Sequence, residues 1–414
     1  MGLGRMRTVA AASAPLEAWW RPSPQAAESM PTLVHVAGTN GKGSVSHKIA
    51  LGAAQAKLRG GPVGLFTSPH VGTFRERIRL DGDMISEARA EALLEEIAAL
   101  EEQTQQDLTY FELLTLTSFL HFAHERAPVA VIEAGLGGLE DSTNILPDPA
   151  VCVITTIAMD HQAILGNTLD DIARAKGGIF KKGAAVVLGP TIPDAQLALL
   201  ENLAHSVGAA SFDVVSRVQG EDVDTENTRV AATALAKMGV DIDVEDLLCK
   251  RPLGRFEKVA ERVVLDAAHN PAAFTRLGDD LARSFPTSGG YKIHAVVAMG
   301  ANKDIRGSLA ALLRTLDLDV ASVTVAPSDN AERTASSIDL ATAAREAAQD
   351  CGFSSLRVAH ADSITKAYET VDSLTTGQRD VIVVCGSFNA LGKIRAKHVA
   401  QMSMDEVNMN ENKV

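Results

Sequence analysis

Short apolar runs alternate with stretches of helical periodicity along the chain. In the first half the runs are TLVHVAG, GPVGLFTS, APVAVIEAG, AVCVITTIA and AAVVLG; in the second they are RVVLDAA, KIHAVVAMG, VASVTVAP and DVIVVCGS. Strands interleaved with helices in this way predict α/β layers built on mostly parallel sheets. The rhythm is interrupted after Cys249, where Pro252 and Gly254 in KRPLGRFEKV stand between the helical TRVAATALAKMG and a new strand. A boundary is therefore expected near residue 253, giving one domain over 1–252 and a smaller one over 253–414. The polar end, from about 403 to 414, reads as a disordered tail.

Composition narrows the function classes. Hydrophobic residues form 46% of the 414, enough to build proper cores. At roughly 100–200 residues per domain, that length suggests two or three domains. The formal net charge of -13 argues against sequence-independent nucleic-acid binding, which needs basic surface to displace counterions. It also requires that an acidic substrate be held locally, by Arg, Lys, Mg²⁺ or backbone N–H groups, against the overall field. Cys152, Cys249, Cys351 and Cys385 lie far apart and form no CxxC pair, so neither a zinc site nor a disulfide framework is expected, and a reducing, cytoplasmic compartment fits. No apolar run reaches the ~18 residues of a membrane span. Residues 1–16 are Ala-rich, with Arg5 and Arg7 and no acid before Glu17. A frayed terminus is the expectation there, with the remnant of a mitochondrial or plastid transit peptide as the alternative.

In open parallel sheets ligands bind outside the carboxyl ends of the strands, and three first-half strands end in residues suited to nucleotide chemistry. The first runs into GTNGKGS, where Gly38, Gly41 and Gly43 let backbone approach phosphate. Lys42 is placed to reach terminal phosphates, and Ser44, at the start of a helix, to ligate Mg²⁺. APVAVIEAG ends in Glu133, a carboxylate that costs several kcal/mol after a buried run unless it is paired or metal-bound. IAMDHQ puts Asp160 and His161 at the same edge, a pair able to complete a second divalent cation site. Singly, Glu133 also fits a turn cap and His161 a satisfied core histidine; their convergence with the phosphate loop favours the ligand reading. Leu169, Ile172 and Lys176 share a helix face, so Lys176 either snorkels outward or points its nitrogen into the site. Lys181 and Lys182 read as solvated charges.

In this order HVAGTNGKGSV, LFTSPHVGTFRERIRLDG, YFELLTLTSFLHFA, EAGLGGLEDSTN, ITTIAMDHQAILGNTLDDIARAKGGIFKKG, PLGRFE and LDAAHNP closely resemble folylpolyglutamate synthase and dihydrofolate synthase, a family of the Mur-ligase superfamily. The similarity runs from about Thr32 to Pro271 and continues more weakly to VVCGSFNALG. It implies a P-loop-type, mostly parallel, ATP-binding central domain, followed by a Rossmann-like C-terminal Mur-ligase domain. It also implies a monomer whose partners are small molecules: ATP, L-glutamate and dihydropteroate or a reduced folate. In the implied reaction the pterin's free carboxylate attacks the γ-phosphate of ATP, and L-glutamate captures the acyl phosphate.

By the same resemblance, Lys42 clamps phosphates within Gly38, Thr39, Asn40, Gly41, Gly43 and Ser44, and Ser44 holds the Mg²⁺ carried by ATP. Glu133 and His161 hold a second Mg²⁺, and Lys176 sits where the family carries a carbamylated lysine. From the second domain Asp266 and His269 face ATP, and Arg255 reaches for the triphosphate. A folate loop at about 65–82 offers Ser68, His70, Arg75 and Arg77. Blander readings stand beside several of these. FRERIRL also fits a half-exposed strand, Asp266 and His269 a strand-end turn, and Thr109, Phe111 and Glu112 packing and capping as well as ligand contact. The sequence departs from the family pattern at Leu139, where an arginine is usual. It departs again at Val230, where an adenine-contacting asparagine is usual unless a gap lets Asn227 serve, and in a short Gly189–Arg229 segment. A Mur-type ligase with another acyl substrate and a nucleotide-binding pseudoenzyme or regulatory protein therefore remain as alternatives.

Overall fold

All nine apolar runs form strands. The computed structural model describes residues 2–21, 30–328 and 334–411, and the chain divides into two compact units, Met1–Pro252 and Leu253–Val414. The first unit holds β1 (Thr32–Ala37), β2 (Val63–Phe66), β3 (Ile78–Leu80), β4 (Asp83–Met84), β5 (Val129–Glu133), β6 (Val151–Ile154), β7 (Ala185–Leu188) and β8 (Ser211–Val214). They form one sheet in the order β4-β3-β2-β5-β1-β6-β7-β8. The core strands are parallel, and β3 and β4 add an antiparallel edge.

The central strands are apolar at successive positions because helices cover both faces. Val34 and Val36 of β1 pack in a cluster with Val45 and Ile49 of the helix Lys42–Gln55 and with Val230 and Leu235 of Val223–Lys237. Leu33 faces the other way, into a cluster built on Phe119 and Phe122 of Tyr110–His124.

The N-terminus corrects the sequence expectation of fraying. Gly2–Ala12 and Ala14–Trp20 are helices, and Met6, Val9, Leu16, Trp19 and Trp20 enter the Phe119–Phe122 cluster. The indole N–H of Trp19 donates to the Ala127 carbonyl at 2.8 Å. Trp20 meets Phe119 edge to face at 5.8 Å, and Arg5 pairs with buried Glu112 at 3.0 Å. The alanine content hid a helical stripe, Met6 with Val9 and Ala10, that has a partner surface to bury against.

The second unit holds β9 (Glu257–Ala260), β10 (Val263–Asp266), β11 (Lys292–Val297), β12 (Val320–Val325), β13 (Arg357–His360) and β14 (Asp380–Cys385). Their order is β13-β12-β11-β14-β10-β9, parallel except for the edge strand β9. A final helix, Phe388–Glu411, takes in most of the stretch expected to be a disordered tail. No proline, and no glycine after Gly392, stops it. Residues 412–414 lie outside the described residues.

Trp19→Ala should lower the stability of the first unit by about 3 kcal/mol or more, since it removes a buried indole and its hydrogen bond. Chemical denaturation with the tryptophan signal of Trp20 measures this. An unchanged midpoint would show that the N-terminal helices lie on the unit without supporting it.

Candidate active site

The first unit's site is built on the turn between β1 and the helix Lys42–Gln55. Gly38 has a φ of +150°, and a Cβ there would lie 1.9 Å from the Thr155 hydroxyl. Gly41, at +84°, would meet the Asn227 carboxamide oxygen at 2.7 Å. Both positions require glycine. The loop is braced from β6. Thr39 N–H donates to the Thr156 carbonyl at 2.9 Å, Asn40 N–H to the Thr156 hydroxyl at 2.9 Å, and the Thr155 hydroxyl to the Asn40 carbonyl at 2.6 Å. The Thr39 hydroxyl exchanges bonds with the Ala158 backbone at 3.1 and 3.0 Å. The first N–H groups of the following helix have no intrahelical partner and carry the positive end of its dipole.

Two lysine side chains meet at this loop. Lys42 Nζ donates to the carbonyls of Gly38 at 3.1 Å and Thr39 at 3.4 Å. Lys176, on the helix Leu169–Gly177, points inward and donates to the same Gly38 carbonyl at 2.8 Å. Only 4% of Lys176 is exposed. Burial, and secondarily the charge of Lys42, push its pKa down to about 7, against the pull of Asp160 and Asp141.

Glu133, 2% exposed at the end of β5, joins the phosphate loop to the segment after β2. One carboxylate oxygen accepts from Ser68 N–H at 2.8 Å. It lies 3.4 Å from where a Gly43 Cβ would stand. Beyond Ser68 the chain is a loop rather than the half-exposed strand that FRERIRL also allowed: Phe74–Arg77 is a 3-10 turn, and β3 starts at Ile78. Glu76 folds this loop by accepting from the N–H groups of Val71, Gly72 and Thr73 at 2.8–2.9 Å. Arg77 is buried and donates to His70 Nδ1 at 2.9 Å, so the ring proton of His70 sits on Nε2. Burial and the Arg77 charge hold the His70 pKa down. The Arg77 guanidinium also lies 5.9 Å from the Tyr110 ring centroid, and Arg75 is half-buried on the same turn.

His161, with a φ of +50°, caps the short helix Gln162–Leu165, and its backbone N–H donates to Asp160 Oδ1 at 2.8 Å. Its ring is exposed, 3.8 Å from Asp160 Oδ2. Among the described residues no three His, Cys, Asp or Glu side chains are grouped to hold a metal. A buried carboxylate beside Gly43, with Ser44 at the helix start, nevertheless suits a divalent cation that takes most of its oxygens from phosphate and water.

In the second unit Asp266 ends β10 and ties two loops together, accepting from Phe256 N–H at 2.8 Å and Ala268 N–H at 2.7 Å. His269 Nδ1 bonds the Ala267 carbonyl at 2.9 Å. Asn270 caps the helix Pro271–Ser284 through Ala273 N–H at 2.9 Å. Arg255 stacks over Phe388, 4.8 Å from its ring centroid. Arg255, Asp266 and His269 thus gather around the carboxyl end of one strand.

Family models match both units: the Mur ligase middle domain over residues 36–189, and the Mur ligase glutamate ligase domain over 254–388. The dihydrofolate synthase/folylpolyglutamate synthase of Escherichia coli K12 is 32% identical over 315 residues, covering 69% of this chain and 72% of that protein. The chain belongs to this family of ATP-dependent ligases. A folylpolyglutamate synthase from Lacticaseibacillus casei is 44% identical over 170 residues, a match that spans 39% of this chain and 38% of that protein's length. The bifunctional synthase of Yersinia pestis c092, solved with AMPPNP and an Mn ion, superposes with a TM-score of 0.77 at 30% identity, covering 96% of this chain and 93% of that one.

The departures from the family's usual sequence are accommodated locally. Val230 is buried in the cluster under β1, while Asn227, about one helical turn earlier, is the residue whose carboxamide reaches Gly41. Leu139 is half-exposed, and its backbone braces the loop: its N–H donates to Ala175 O at 2.7 Å, and its carbonyl accepts from Asn144 at 2.9 Å. Lys181 is not a solvated charge, because its Nζ donates to Asn144 Oδ1 at 2.8 Å and burial lowers its pKa. Lys182 is exposed. Thr109 and Glu112 form a capping box, and Glu112 also holds Arg5. Sequence reasoning missed His35, buried on β1 and bonded to the Thr143 hydroxyl at 2.8 Å, with Thr143 and the Leu136 N–H held in turn by Asp141. A lone polar residue within an apolar strand was its signal.

Lys176 makes stability depend on pH with a definite sign. Its pKa is depressed from 10.5 when unfolded to about 7 when folded, so between those values the unfolded chain holds a proton that the folded one lacks. In CO₂-free buffer the wild type should gain stability relative to Lys176→Met as pH rises from 7 toward 10, and lose that gain as pH falls through 7. Denaturation midpoints of the pair at several pH values read this out; a constant difference would mean the amine stays charged.

Proposed function

We propose that the chain joins L-glutamate to dihydropteroate, to the glutamate tail of a folate, or to both, with ATP as co-substrate and through an acyl phosphate. The observation that carries this reading is the meeting of Lys42 and Lys176 at Gly38, beside a buried carboxylate that bridges the phosphate loop and the Ser68 loop. It would place the end of a nucleotide and the end of a Ser68-loop ligand at one strand edge.

In the first step a carboxylate oxygen of the pterin substrate forms a bond to the γ-phosphorus and the bond to the β–γ bridging oxygen breaks, giving acyl phosphate and ADP. Lys42 and the helix N–H groups face the negative charge of the phosphates. In the second step the amine of L-glutamate attacks the acyl carbon, phosphate leaves with the bonding pair, and the amine's proton passes to solvent. Ser68, His70, Arg75 and Arg77 would hold the pterin and its carboxylate, with the neutral His70 presenting Nε2–H. Ser44, Glu133 and His161 would hold divalent magnesium. When bound, the metal would neutralise charge that builds on phosphate oxygens.

Lys176 supplies an unprotonated amine near pH 7, the form that adds CO₂ to give a carbamate with loss of one proton. Carbamylation would turn a buried cation into an anion able to face a metal. Arg255, Asp266 and His269 are proposed to serve the nucleotide from the second unit. No helix among the described residues is long and apolar enough to cross a membrane, and the described cysteines are unpaired. Unpaired cysteines fit a reducing compartment, and the protein is proposed to work in the cytoplasm as a monomer.

Phosphate release should require both L-glutamate and either dihydropteroate or tetrahydrofolate, and the preferred pterin identifies the substrate. Release that ignores the pterin would refute the reading in favour of another ligase or a regulatory ATPase. Lys42→Ala and His161→Ala should each cut turnover by at least about 100-fold with the fold intact. Lys176→Ala should regain part of its activity with acetate or propionate but not with chloride; equal responses to these salts would remove the carbamate.

A further inference from the structure

The second unit contains a cavity of about 170 Å³ between the β11–β13 half of its sheet and the helix Ile364–Leu374. The sheet's other face is apolar, with Ile293, Ala295, Val297, Val323 and Val325 in the main cluster. On the cavity face the alternate positions are polar: His294 on β11, Ser322 and Thr324 on β12, and Arg357 on β13. A helix-covered sheet face normally carries Val, Ile and Leu. The polar substitution at adjoining registers, Ser322 beside Arg357 and Thr324 beside Ala359, is a local feature of these strands.

Most of the polar groups here are already committed. Ser322 Oγ bonds His294 Nδ1 at 2.9 Å, and His294 Nε2 lies 3.4 Å from Asp380. The hydroxyls of Thr370 and Thr375 donate back to the Lys366 and Val371 carbonyls at 2.8 and 2.9 Å. Two donors are left. Thr324 is 6% exposed with no hydrogen-bond partner for its hydroxyl among the described residues, and Arg357, at the mouth, has neither a hydrogen bond nor an ion pair there. The remaining wall is apolar: Ala359, Val371 and Leu374.

The cavity lies apart from the Asp266 edge. From β12 to β10 is three strand steps, about 14 Å, and the His294 row lies three residues, about 10 Å, before the row of Asp266.

We infer that this cavity is a second binding site, for a small organic anion whose carboxylate is held by Arg357 and Thr324 and whose carbon chain lies on Ala359, Val371 and Leu374. A guanidinium and a free hydroxyl select an oxyanion, and the apolar wall selects one with a hydrocarbon part. A volume of this size suits a ligand of a few heavy atoms.

Butyrate is the probe, with butyramide as its neutral isostere, titrated into the full-length protein and followed by amide NMR. Butyrate should shift the amides of 320–325 and 357–360 saturably, and butyramide should bind at least about tenfold more weakly. Thr324→Val and Arg357→Met should each weaken butyrate by about tenfold or more while leaving turnover at the ligase site unchanged. No saturable shift up to tens of millimolar would mean that the cavity holds water only. Equal binding of the amide, or undiminished binding in both variants, would also overturn the inference. Should a variant fail to fold, the contrast between acid and amide in the wild type decides it.

Discussion

The first unit's chemistry depends on how closely three strand ends converge. Thr155, at the end of β6, lies between Gly38 after β1 and Gly189 after β7, and a Cβ on either glycine would stand 1.9 Å from a Thr155 oxygen. No side chain fits at either position. That closeness lets Thr155 and Thr156 hold the Asn40 carbonyl and N–H from beneath, so the phosphate loop keeps its shape without a ligand. A loop held this way has little ordering entropy left to lose when phosphate arrives. The same approach of β1 to its neighbours brings Glu133, at the end of β5, against Gly43.

Placing two lysines on one carbonyl has an electrostatic consequence. Two ammonium groups in a buried space repel, and the one with less access to water gives up its proton more readily. Lys42 is only partly buried, while Lys176 is enclosed and titrates near 7. One surrounding therefore yields two lysine chemistries, a charge for holding anions and a nucleophilic amine. Asp141 and Asp160 keep Lys176 from falling further. Asp141 is itself fixed by the N–H groups of Leu136 and Thr143, so the GLGGLEDSTN turn and the lysine helix set one another's position.

The central strands were legible because a strand buried on both faces must be apolar at every position, and helices have to separate parallel neighbours. Edge strands β4, β8, β9 and β13 were not singled out; each has at most four residues, half or more of them partly exposed, which gives no apolar run to see. The N-terminal helices were misread because alanine carries little pattern, and what decides their fate is the cluster around Phe119 and Phe122, far along the chain. Within the candidate site, Lys42 and Glu133 could be placed at strand ends, whereas helix spacing left Lys176 turned either outward or inward, and its bond to the Gly38 carbonyl shows that it turns inward. The choice between Asn227 and Val230 could not, because a shift of about one helical turn separates a core residue from one that touches Gly41. The sequence offered Arg77 as a half-exposed strand position or a ligand contact; it lies buried in a 3-10 turn, where it sets the tautomer of His70.

A chain with a net charge of -13 that gathers polyanions needs its attraction to be local. At physiological salt the Debye length is about 8 Å, so distant surface carboxylates are largely screened at the loop while groups within a few ångströms are not. Those near groups are Lys42 and the N-terminal end of the helix that Lys42 opens. Buried Arg77 stands on the Ser68 loop, which Glu133 ties to the same edge. Placing one carboxylate, Glu133, among so much positive potential would weaken anion binding if it acted alone. The charge of nearby Arg77 and the Ser68 N–H already offset it, and its place beside Gly43 also suits a divalent cation.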